Sequence, residues 1–425
     1  MTQQIALTIT APVRAGHEAT LRGLLESMGQ DAAGNDVIPF GRLTTTHFAR
    51  LLLLDADEDL DGESIAPQLV YMSDVDDRLD RHLEELHDVA GDGLDEVLRH
   101  CTGYPPKGRV SRRRRLAFLN EHTRDASAVY VNTIGRTVEQ VHQEEALRRA
   151  IEAFLDEPSH DWSTHAPDQL REAIRTFVDS HDDLGWAGAP LPVPTLGERL
   201  RQAADALRLP AALLALSPLI VGALPLWVAL LRIQELRDPA PHIKPDEEHV
   251  RKLSELEDRI TQNQFSAVGY LKPGLLRRIT ATSVLRLADY GTHHIFNRGQ
   301  LTGIKTIHFA RWAFLDDGKR LIFASNYDGS LESYMDDFVD KVAWGLNAVF
   351  SNGVGYPRTS LLLFGGARDE QAFKDFLRRH QLPTQVWFSA YGDLTAINIE
   401  NNARIRAGLY GDMSGSETQA WLQRL

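Results

Sequence analysis

The chain contains one stretch of sequence twice, and this internal repeat limits the folds that it can adopt. The letters HFAR begin at His47 and again at His308, and the letters GYP begin at Gly103 and again at Gly355. Each HFAR lies in an apolar run that is typical of a strand, and each GYP follows a stretch with helical spacing of apolar residues. Two motifs that recur in the same order indicate a duplicated structural unit.

The two copies differ in length at one place only. Ser73 precedes Tyr104 by as many positions as Ser325 precedes Tyr356. The additional residues of the first copy lie between Asp55 and Ser73, where a hairpin turn is expected. Because hairpin tips tolerate insertions far better than strands or helices do, this is where a duplicated unit is expected to diverge.

The first copy has the element order of a ferredoxin-like unit, strand–helix–strand–strand–helix–strand, and in the second copy strands likewise alternate with helices. Apolar periodicity and turn residues predict the type of each element. In the first copy the predicted strands are Ile5–Thr10, Leu43–Leu54, Gln68–Ser73 and Ala128–Asn132, and the predicted helices are His17–Met28, Asp76–Cys101 with a break at Gly91–Gly93, and Val138–Leu155. In the second copy the predicted strands are Thr306–Leu315, Leu321–Ser325, Ser360–Phe364 and Gln385–Ser389, and the predicted helices are Leu331–Phe350 and Gln371–His380.

We therefore predict an α+β fold in which two ferredoxin-like repeats form an intramolecular α+β barrel from facing antiparallel sheets. The first repeat is expected to occupy residues 1–156, and the second residues 301–425. Residues 157–300 are expected to form a helical linker or insert, with an apolar, membrane-contacting segment at residues 209–233.

The apolar segment is long enough to contact a membrane. Ala211–Leu231 contains no charged residue, and Arg208 and Arg232 flank it. This length and composition pass the usual test for a helix that crosses a bilayer. Pro218 and Pro225 argue against a straight helix, since each removes a backbone hydrogen bond. A monotopic or re-entrant dip into the membrane is the favoured interpretation; a true span, and a buried core helix or homodimer contact, are the alternatives.

The composition excludes several classes of protein. The chain has 425 residues and a formal net charge of −13, with no basic face spread over a domain, which argues against a nucleic-acid partner. Cys101 is the single cysteine, so an internal disulfide framework and a multi-cysteine metal site are excluded. The first residues do not resemble a secretion signal, and we expect a location on the cytoplasmic side of the membrane. The motifs of serine hydrolases, P-loop NTPases, dinucleotide-binding folds and zinc peptidases do not occur.

Polar residues of the second copy, and of the segment that leads into it, are the candidates for chemistry. An arginine fork pairs well with a carboxylate, a phosphate or a propionate, and histidine and aspartate transfer protons. The catalytic candidates are Asp328, Arg311, Asn326, Tyr356 and Arg358, and the candidates for holding a cofactor are His308, His293, His294 and Arg298.

These residues also have structural interpretations. His308 is typical of a core histidine that bonds to the backbone. Asp328 is typical of an N-cap for the helix that begins near Leu331. Tyr356, which precedes a proline, is typical of a rigid turn. On a regular strand, residues three positions apart point to opposite faces, so His308 and Arg311 are not expected to converge.

Four stretches resemble a bacterial family of unassigned function: Thr306–Trp312, Ser325–Ser330, Gly355–Thr359 and Asn398–Leu409. This resemblance covers residues 262–425 well and the first copy weakly. More remotely, the doubled ferredoxin-like units resemble the dimeric α+β barrel superfamily, which includes dye-decolourising peroxidases and chlorite dismutases.

The remote resemblance implies a haem cofactor. In these peroxidases an Asp-Gly pair supplies a distal acid beside a distal arginine, and a proximal histidine binds the haem iron. Asp328 and Gly329 match the Asp-Gly pair, whereas Ser325 stands where the fuller pattern has glycine. The resemblance then implies that an arginine stabilises a developing oxyanion or anchors a propionate, with Arg311 and Arg358 as candidates, and that a histidine is axial, with His308, His293 and His294 as candidates.

Together these features lead to one functional hypothesis and two alternatives. The hypothesis is a membrane-associated oxidoreductase, a haem-dependent peroxidase or oxygenase that acts on a lipophilic, lipid-like substrate. The first alternative is a non-catalytic lipid-binding or membrane scaffold protein, in which the same polar residues cap helices and turns. The second is a cofactor-free enzyme that uses the barrel pocket. The sequence leaves open whether the chain is an enzyme.

Overall fold

Two antiparallel sheets, packed against each other and flanked by helices, form the centre of the computed structural model. It describes residues 4–159, 161–189, 195–239, 242–296 and 299–425. Within these residues neither sheet closes on itself. The α+β class is confirmed in the form of two open antiparallel sheets.

The main strands fall into two sheets of four. In chain order they are β1 (Ile5–Pro12), β2 (Thr46–Leu54), β3 (Gln68–Val75), β4 (Ala126–Val131), β5 (Gln262–Tyr270), β6 (Ile307–Leu315), β7 (Arg320–Asp328) and β8 (Val386–Ser389). The first sheet has the order β8, β2, β3, β1, with the two residues Thr123–Arg124 beside β1 at its edge. The second sheet has the order β4, β6, β7, β5.

Each sheet contains one strand from the opposite half of the chain. β8 pairs with β2, so that Val386 lies opposite Leu51. β4 pairs with β6, so that Val131 lies opposite Phe309. Neither half of the chain therefore completes its own sheet. The proposed division at residues 156 and 301 stays a prediction, and strand pairing crosses both of these boundaries.

Most predicted strands are present, with two differences. The sequence analysis did not identify β5, which is rich in polar residues. The predicted strand Ser360–Phe364 is wrong, because only Thr359–Ser360 and Phe364–Gly365 pair with each other. Between them, Leu361 and Leu362 have φ angles of 55° and 62°, in the left-handed region that interrupts a strand.

Helices cover the outer faces of both sheets. α1 and α2 pack on the first sheet, and α9 and α10 pack on the second. In chain order the described helices are α1 (Glu18–Gly29), α2 (Leu79–Leu98), α3 (Arg112–Glu121), α4 (Val138–Leu155), α5 (Pro167–Asp179), α6 (Leu196–Ala215), α7 (Ser217–Arg237), α8 (Glu247–Ser254), α9 (Leu275–His294), α10 (Leu331–Phe350), α11 (Glu370–His380), α12 (Ala396–Leu409) and α13 (Gly415–Leu422).

The long helices α2 and α10 are kinked at matched positions. The break predicted at Gly91–Gly93 is confirmed next to this pair, where Ala90 has a φ of −134° and a ψ of 28°. In α10, Val342 has a φ of −138° and a ψ of 20°. Ala90 follows Ser73 by as many positions as Val342 follows Ser325. The two copies thus share a local irregularity as well as their order of elements.

An apolar cluster fills part of the space between the two sheets. A strand that is covered on both faces usually has a continuous apolar sequence. All residues of β2 are buried, because helices lie on one side of it and the second sheet lies on the other. The cluster consists of Leu52, Leu54, Val70, Met72, Ala313, Leu315, Ile322 and Ala324.

Truncating a side chain in this cluster is expected to destabilise both sheets together. Leu52 is fully buried, and its replacement in Leu52→Ala leaves a cavity between the sheets. We expect the free energy of unfolding in urea to fall by about 2–5 kcal/mol, with far-UV and near-UV circular dichroism changing in one transition. The control is Leu60→Ala, at a side chain that is 49% exposed. Two separated transitions would contradict the shared core.

Candidate functional site

A β-bulge in each sheet involves a histidine at the matched position of the repeat. The pairing of β2 with β3 skips His47, and the pairing of β6 with β7 skips His308. Both histidines are buried. Because a bulge inserts one residue, the alternation that predicts opposite faces for His308 and Arg311 does not hold in this stretch. Both side chains contact the first half of the chain, through Phe48 and Asp74 respectively.

Two buried arginines cross between the sheets. Arg50 of β2 donates to Oδ1 of Asn326 in the second sheet at 2.5 Å, and Arg311 of β6 donates to Oδ1 of Asp74 in the first sheet. Each guanidinium also donates to backbone carbonyl oxygens of the facing sheet. Nδ2 of Asn326 donates to Oδ2 of Asp74 at 3.1 Å, which joins the two pairs into one network. The arginine of each half of the chain thus bonds to residues of the other half.

Two aspartates at matched positions of the repeat accept hydrogen bonds from the N-termini of helices that come later in the chain. Oδ2 of Asp76 accepts from the backbone N–H of Val138, where α4 begins, at 2.6 Å. Oδ2 of Asp328 accepts from the backbone N–H of Ala396, where α12 begins, at 2.8 Å. The prediction that Asp328 caps α10 is wrong, since Ser330 holds that N-cap position.

The two histidines lie beside these aspartates. Nε2 of His308 is 2.7 Å from Oδ1 of Asp328. His47 is less closely paired, with Nε2 at 3.7 Å from Oδ2 of Asp76 and Nδ1 at 2.8 Å from the hydroxyl of Tyr391. The histidines, aspartates and crossed arginines form a continuous polar layer between the sheets, which we call the central polar layer.

Burial governs the charges of this layer. It lowers the pKa of His47 to about 3, with the nearby His308 acting in the same direction. It lowers the pKa of Arg50 to about 9, again assisted by the like charge of Arg311. It raises the pKa of Asp74 in spite of both arginines, which favour its ionised form. Burial thus disfavours the charged forms of His47, Arg50 and Asp74.

The candidate site residues from the sequence do not form one site. Asp328, Arg311, Asn326 and His308 lie in the central polar layer, where each bonds to another part of the fold. The remaining candidates lie elsewhere: Tyr356 donates to Oδ1 of Asn347, Arg358 lines a separate cavity, His293 and His294 lie at the exposed end of α9, and Arg298 lies outside the described residues.

The surroundings of His308 do not fit a haem. Its Nε2 is occupied by Asp328, whose other oxygen holds the start of α12. The imidazole is 3% exposed, and the rings of Phe48 and Tyr391 lie against it with centroid distances of 5.4 and 6.1 Å. A porphyrin bound to this nitrogen would have to displace these side chains. The haem and oxidoreductase hypotheses stay predictions, and these contacts give them no support.

A second candidate site is the projecting pair of helices α6 and α7, which meet at Leu216. The backbone carbonyl of Ala206 in α6 accepts from the hydroxyl of Tyr290 at 3.0 Å, and Trp227 in α7 donates to Oγ1 of Thr280 at 3.2 Å. Both partners lie on α9, about 15 Å apart at 1.5 Å per residue, whereas about 32 Å of helix separates Ala206 from Trp227. The helical path from Ala206 to Trp227 is thus longer than the separation of their partners along α9, and we call residues 206–227 the arch.

The arch is apolar and exposed. Every residue from 211 to 226 is exposed except the half-buried Ser217. Leu214, Leu219 and Val221, for example, are 77%, 71% and 68% exposed. By length and composition α7 is able to cross a membrane, with a mean hydropathy of 1.6 over its most apolar window. Soluble surfaces rarely expose an apolar patch of this extent.

Hydroxyl groups compensate for two prolines of the arch. Pro210 lacks the N–H that would bond to the carbonyl four residues earlier, and this carbonyl accepts from Tyr290 instead. Pro218 similarly leaves the carbonyl of Leu214 free, and Oγ of Ser217 donates to it at 2.7 Å. In an apolar environment an unsatisfied carbonyl is costly, so these bonds suit a segment that is removed from water.

A buried carboxylate fixes α7 to the second half of the body. Glu235 is 1% exposed and accepts from the backbone N–H groups of Leu361 and Leu362, both at 2.8 Å. It also accepts from Oγ1 of Thr359 and from Arg232, both at 3.1 Å. The loop that replaces the predicted strand is thus held in its left-handed conformation by a residue of α7.

Sequence analysis missed several residues that determine both sites. Asp74 and Tyr391 join the central polar layer, and Glu235 anchors α7. The match of Asp74 with Asn326 in the repeat is the signal that could have identified the crossed pairs. Glu235 carries no comparable signal, because its two backbone partners, Leu361 and Leu362, are more than a hundred residues away.

Breaking one crossed pair is expected to be costly. Arg311→Met leaves the carboxylate of Asp74 buried without its arginine, and the free energy of unfolding is expected to fall by about 3–5 kcal/mol. In the double variant with Asp74→Leu, the cost is expected to be smaller than the sum of the single costs, as measured by urea unfolding. The control cycle uses the exposed pair Arg78 and Asp80, where the coupling is expected to be below about 1 kcal/mol. Equal coupling in both cycles would refute the structural importance of the crossed pair.

His47 is expected to make the fold sensitive to acid. Its lowered pKa means that the unfolded chain takes up a proton near pH 6.5 that the folded protein refuses until about pH 3. The free energy of unfolding is therefore unaffected by the titration of His47 above pH 6.5, and it falls as the pH is lowered from 6.5 towards 3. Between pH 7 and pH 5 the wild type should lose about 2 kcal/mol more stability than His47→Gln. Urea unfolding at both pH values measures this difference. The exposed His165→Gln is the control and should behave as the wild type.

The sequence and the structure of the chain were also compared with known proteins. No protein-family model matches the chain, and the curated proteins and the solved structures likewise contain no match. The argument for a function therefore depends on the geometry of the arch and of the central polar layer.

Proposed function

We propose that the chain is a monotopic membrane-binding protein, in which the arch enters one leaflet of a bilayer while the two-sheet body stays at the surface. The observation that carries this proposal is the exposure of an unbroken apolar stretch from residue 211 to residue 226 on helices whose other parts contact the body. In this function the central polar layer is structural, and lipid is the partner of the protein.

The distribution of apolar residues favours lipid over a protein partner. A helix that docks on another protein usually has an apolar stripe and a polar face, whereas a helix that is apolar all round suits a core or a membrane. Residues 211–226 contain no charged side chain on any face, and Ser217 is their single hydroxyl residue. A bilayer can surround such a segment on all sides at once.

The contacts with α9 favour a dip over a span. The arch begins near Ala206 and ends near Trp227, and these two residues contact the same helix of the body. A segment that leaves and returns to one face of the body begins and ends on one side of the membrane. Trp227 lies where an indole at the membrane–water boundary is expected, and Arg208, 80% exposed at its side chain, lies at the opposite base.

We also propose that the two halves are ferredoxin-like units with exchanged fourth strands, which form an open relative of the α+β barrel. The matched bulges and helix kinks support this proposal. So do two tyrosines of the repeated motif: Tyr104 donates to Asp95, and Tyr356 donates to Asn347 at 2.8 Å, across the same number of positions. A duplicated unit explains why such irregular details occur twice.

Charged residues in the arch are expected to abolish membrane binding without unfolding the body. In the double variant Leu219→Asp with Leu226→Asp, both altered side chains are exposed, at 71% and 64%. A charge at the bilayer centre costs about 2.5–3.5 kcal/mol. If each aspartate costs about half of this amount, the two together weaken vesicle binding about a hundredfold, since each 1.4 kcal/mol is a factor of about ten. Co-sedimentation with phosphatidylcholine vesicles that contain phosphatidic acid measures this change.

The matched control is Leu200→Asp, which adds an aspartate to α6 outside the arch, where Leu200 is 64% exposed. This variant should bind vesicles as the wild type does. If the wild type does not bind vesicles, the membrane proposal fails. If the wild type is a dimer without lipid and the double variant is a monomer, the arch is a contact between two copies of the chain instead.

A further inference from the structure

A cavity of about 480 Å³ lies between α11 and the loop that follows the second GYP motif. Its walls include Arg358, Arg379, His242, Asp369 and Phe376. Its volume is in the range of sites for small molecules. The cavity is separate from the central polar layer, and none of the contacts described above uses it.

Both arginines of the cavity lack a partner within the described residues. Neither the guanidinium of Arg358 nor that of Arg379 has a hydrogen bond or an ion pair with a described residue. The next residue in α11 behaves differently, because Arg378 donates to Glu257 at 2.6 Å. The guanidinium of Arg379 lies over Gly355, where an added Cβ would be 2.5 Å from Nη2. Burial lowers the pKa of Arg379, and the carboxylate of Asp375 acts in the opposite direction without bonding to the guanidinium.

The carboxylates near the cavity already have partners. Oδ2 of Asp375 is 2.6 Å from Nε2 of His242, and its Oδ1 accepts from Gln371 at 2.9 Å. Asp369 accepts from the backbone N–H of Ala372 at the start of α11. Two guanidinium groups therefore face the cavity without a carboxylate bonded to them. Planar guanidinium forks of this kind bind phosphate oxygens in pairs.

The cavity lies beside residues 359–364, the loop that replaces the predicted strand. Its lining residues Arg358 and Gly365 enclose the loop that Glu235 of α7 holds in place. The loop exposes Leu361, Leu363 and Phe364, at 40%, 41% and 56%. An apolar rim and a cationic cavity thus adjoin each other, and the loop that forms this rim is held by α7, the helix that carries part of the arch.

We propose that Arg358 and Arg379 bind a phosphate ester group in this cavity, and that this ester is the head group of an anionic phospholipid whose acyl chains lie along Leu361, Leu363 and Phe364. The identity of the ester as a lipid depends on the proposed membrane function. The binding of a phosphate ester by the two arginines does not depend on it.

The test uses a phospholipid that is soluble without vesicles. Dihexanoyl phosphatidic acid is titrated into the full chain by calorimetry, and glycerol 3-phosphate is titrated in parallel as the same phosphate ester without acyl chains. Arg358→Ala and Arg379→Ala are each expected to weaken binding of the short-chain lipid about tenfold or more, because each removes charge-assisted hydrogen bonds. Arg368→Ala is the matched control, since it removes a positive charge from the same surface outside the cavity and should bind as the wild type does.

The outcomes separate the parts of the proposal. The site would be overturned if all three variants bound the short-chain lipid with the affinity of the wild type. It would also be overturned if the wild type did not bind this lipid. Arginine-dependent binding of glycerol 3-phosphate that is as tight as binding of the lipid would overturn the lipid assignment and support a soluble phosphate ester as ligand. Arginine-dependent binding of the short-chain lipid by a protein that does not bind vesicles would support the site and overturn the membrane function. A fourth outcome is that the wild type and both arginine variants bind vesicles equally well, while none of them binds the short-chain lipid in the calorimeter. This result would overturn the site and leave the membrane function in place.

Discussion

The crossed arginines between the two sheets are the interaction on which the rest of the structure depends. A buried guanidinium is costly unless its charge and its hydrogen bonds are satisfied, and each half of this chain provides the partner for the arginine of the other half. The exchanged strands β4 and β8 add backbone pairing in both directions. Neither half alone has an acceptor for its arginine or a complete sheet. The pair of halves is therefore one folding unit.

The joining of the two halves by the crossed arginines explains which part of the molecule is able to bind a ligand. In the central polar layer the functional groups bond to one another or to helix ends, so that binding a ligand there would first break the contacts that join the sheets. The outer surface of the second half has the opposite character, with an apolar arch without a cover and two arginines without a described partner. Polar residues alone are a poor guide to chemistry, because a buried layer and an open cavity draw on the same residue types.

The sequence predicts what depends on local pattern, and it fails where distant contacts decide. The repeat, most strands and helices, the break in α2 and the apolar segment are readable from spacing and composition. The bulges at His47 and His308 are not, because the alternation of a strand does not reveal an inserted residue. Local spacing places Asp328 at the N-cap of the nearest helix, whereas the backbone N–H that it accepts from belongs to Ala396. The apolar run at Ser360–Phe364 resembles a strand, and Glu235 of α7 holds it as a loop instead.

Glu235 connects the arch with the cavity. A carboxylate that is removed from water needs several donors, and here two of them are backbone N–H groups of leucines in the left-handed conformation, which is unfavourable for such residues. The same helix that carries the exposed apolar stretch therefore determines the shape of the loop beside Arg358. If the arch enters a bilayer, Glu235 holds the loop about 12 Å further along the same helix than Trp227, at 1.5 Å per residue. Membrane contact and phosphate recognition would then be two parts of one surface, positioned by a single buried side chain.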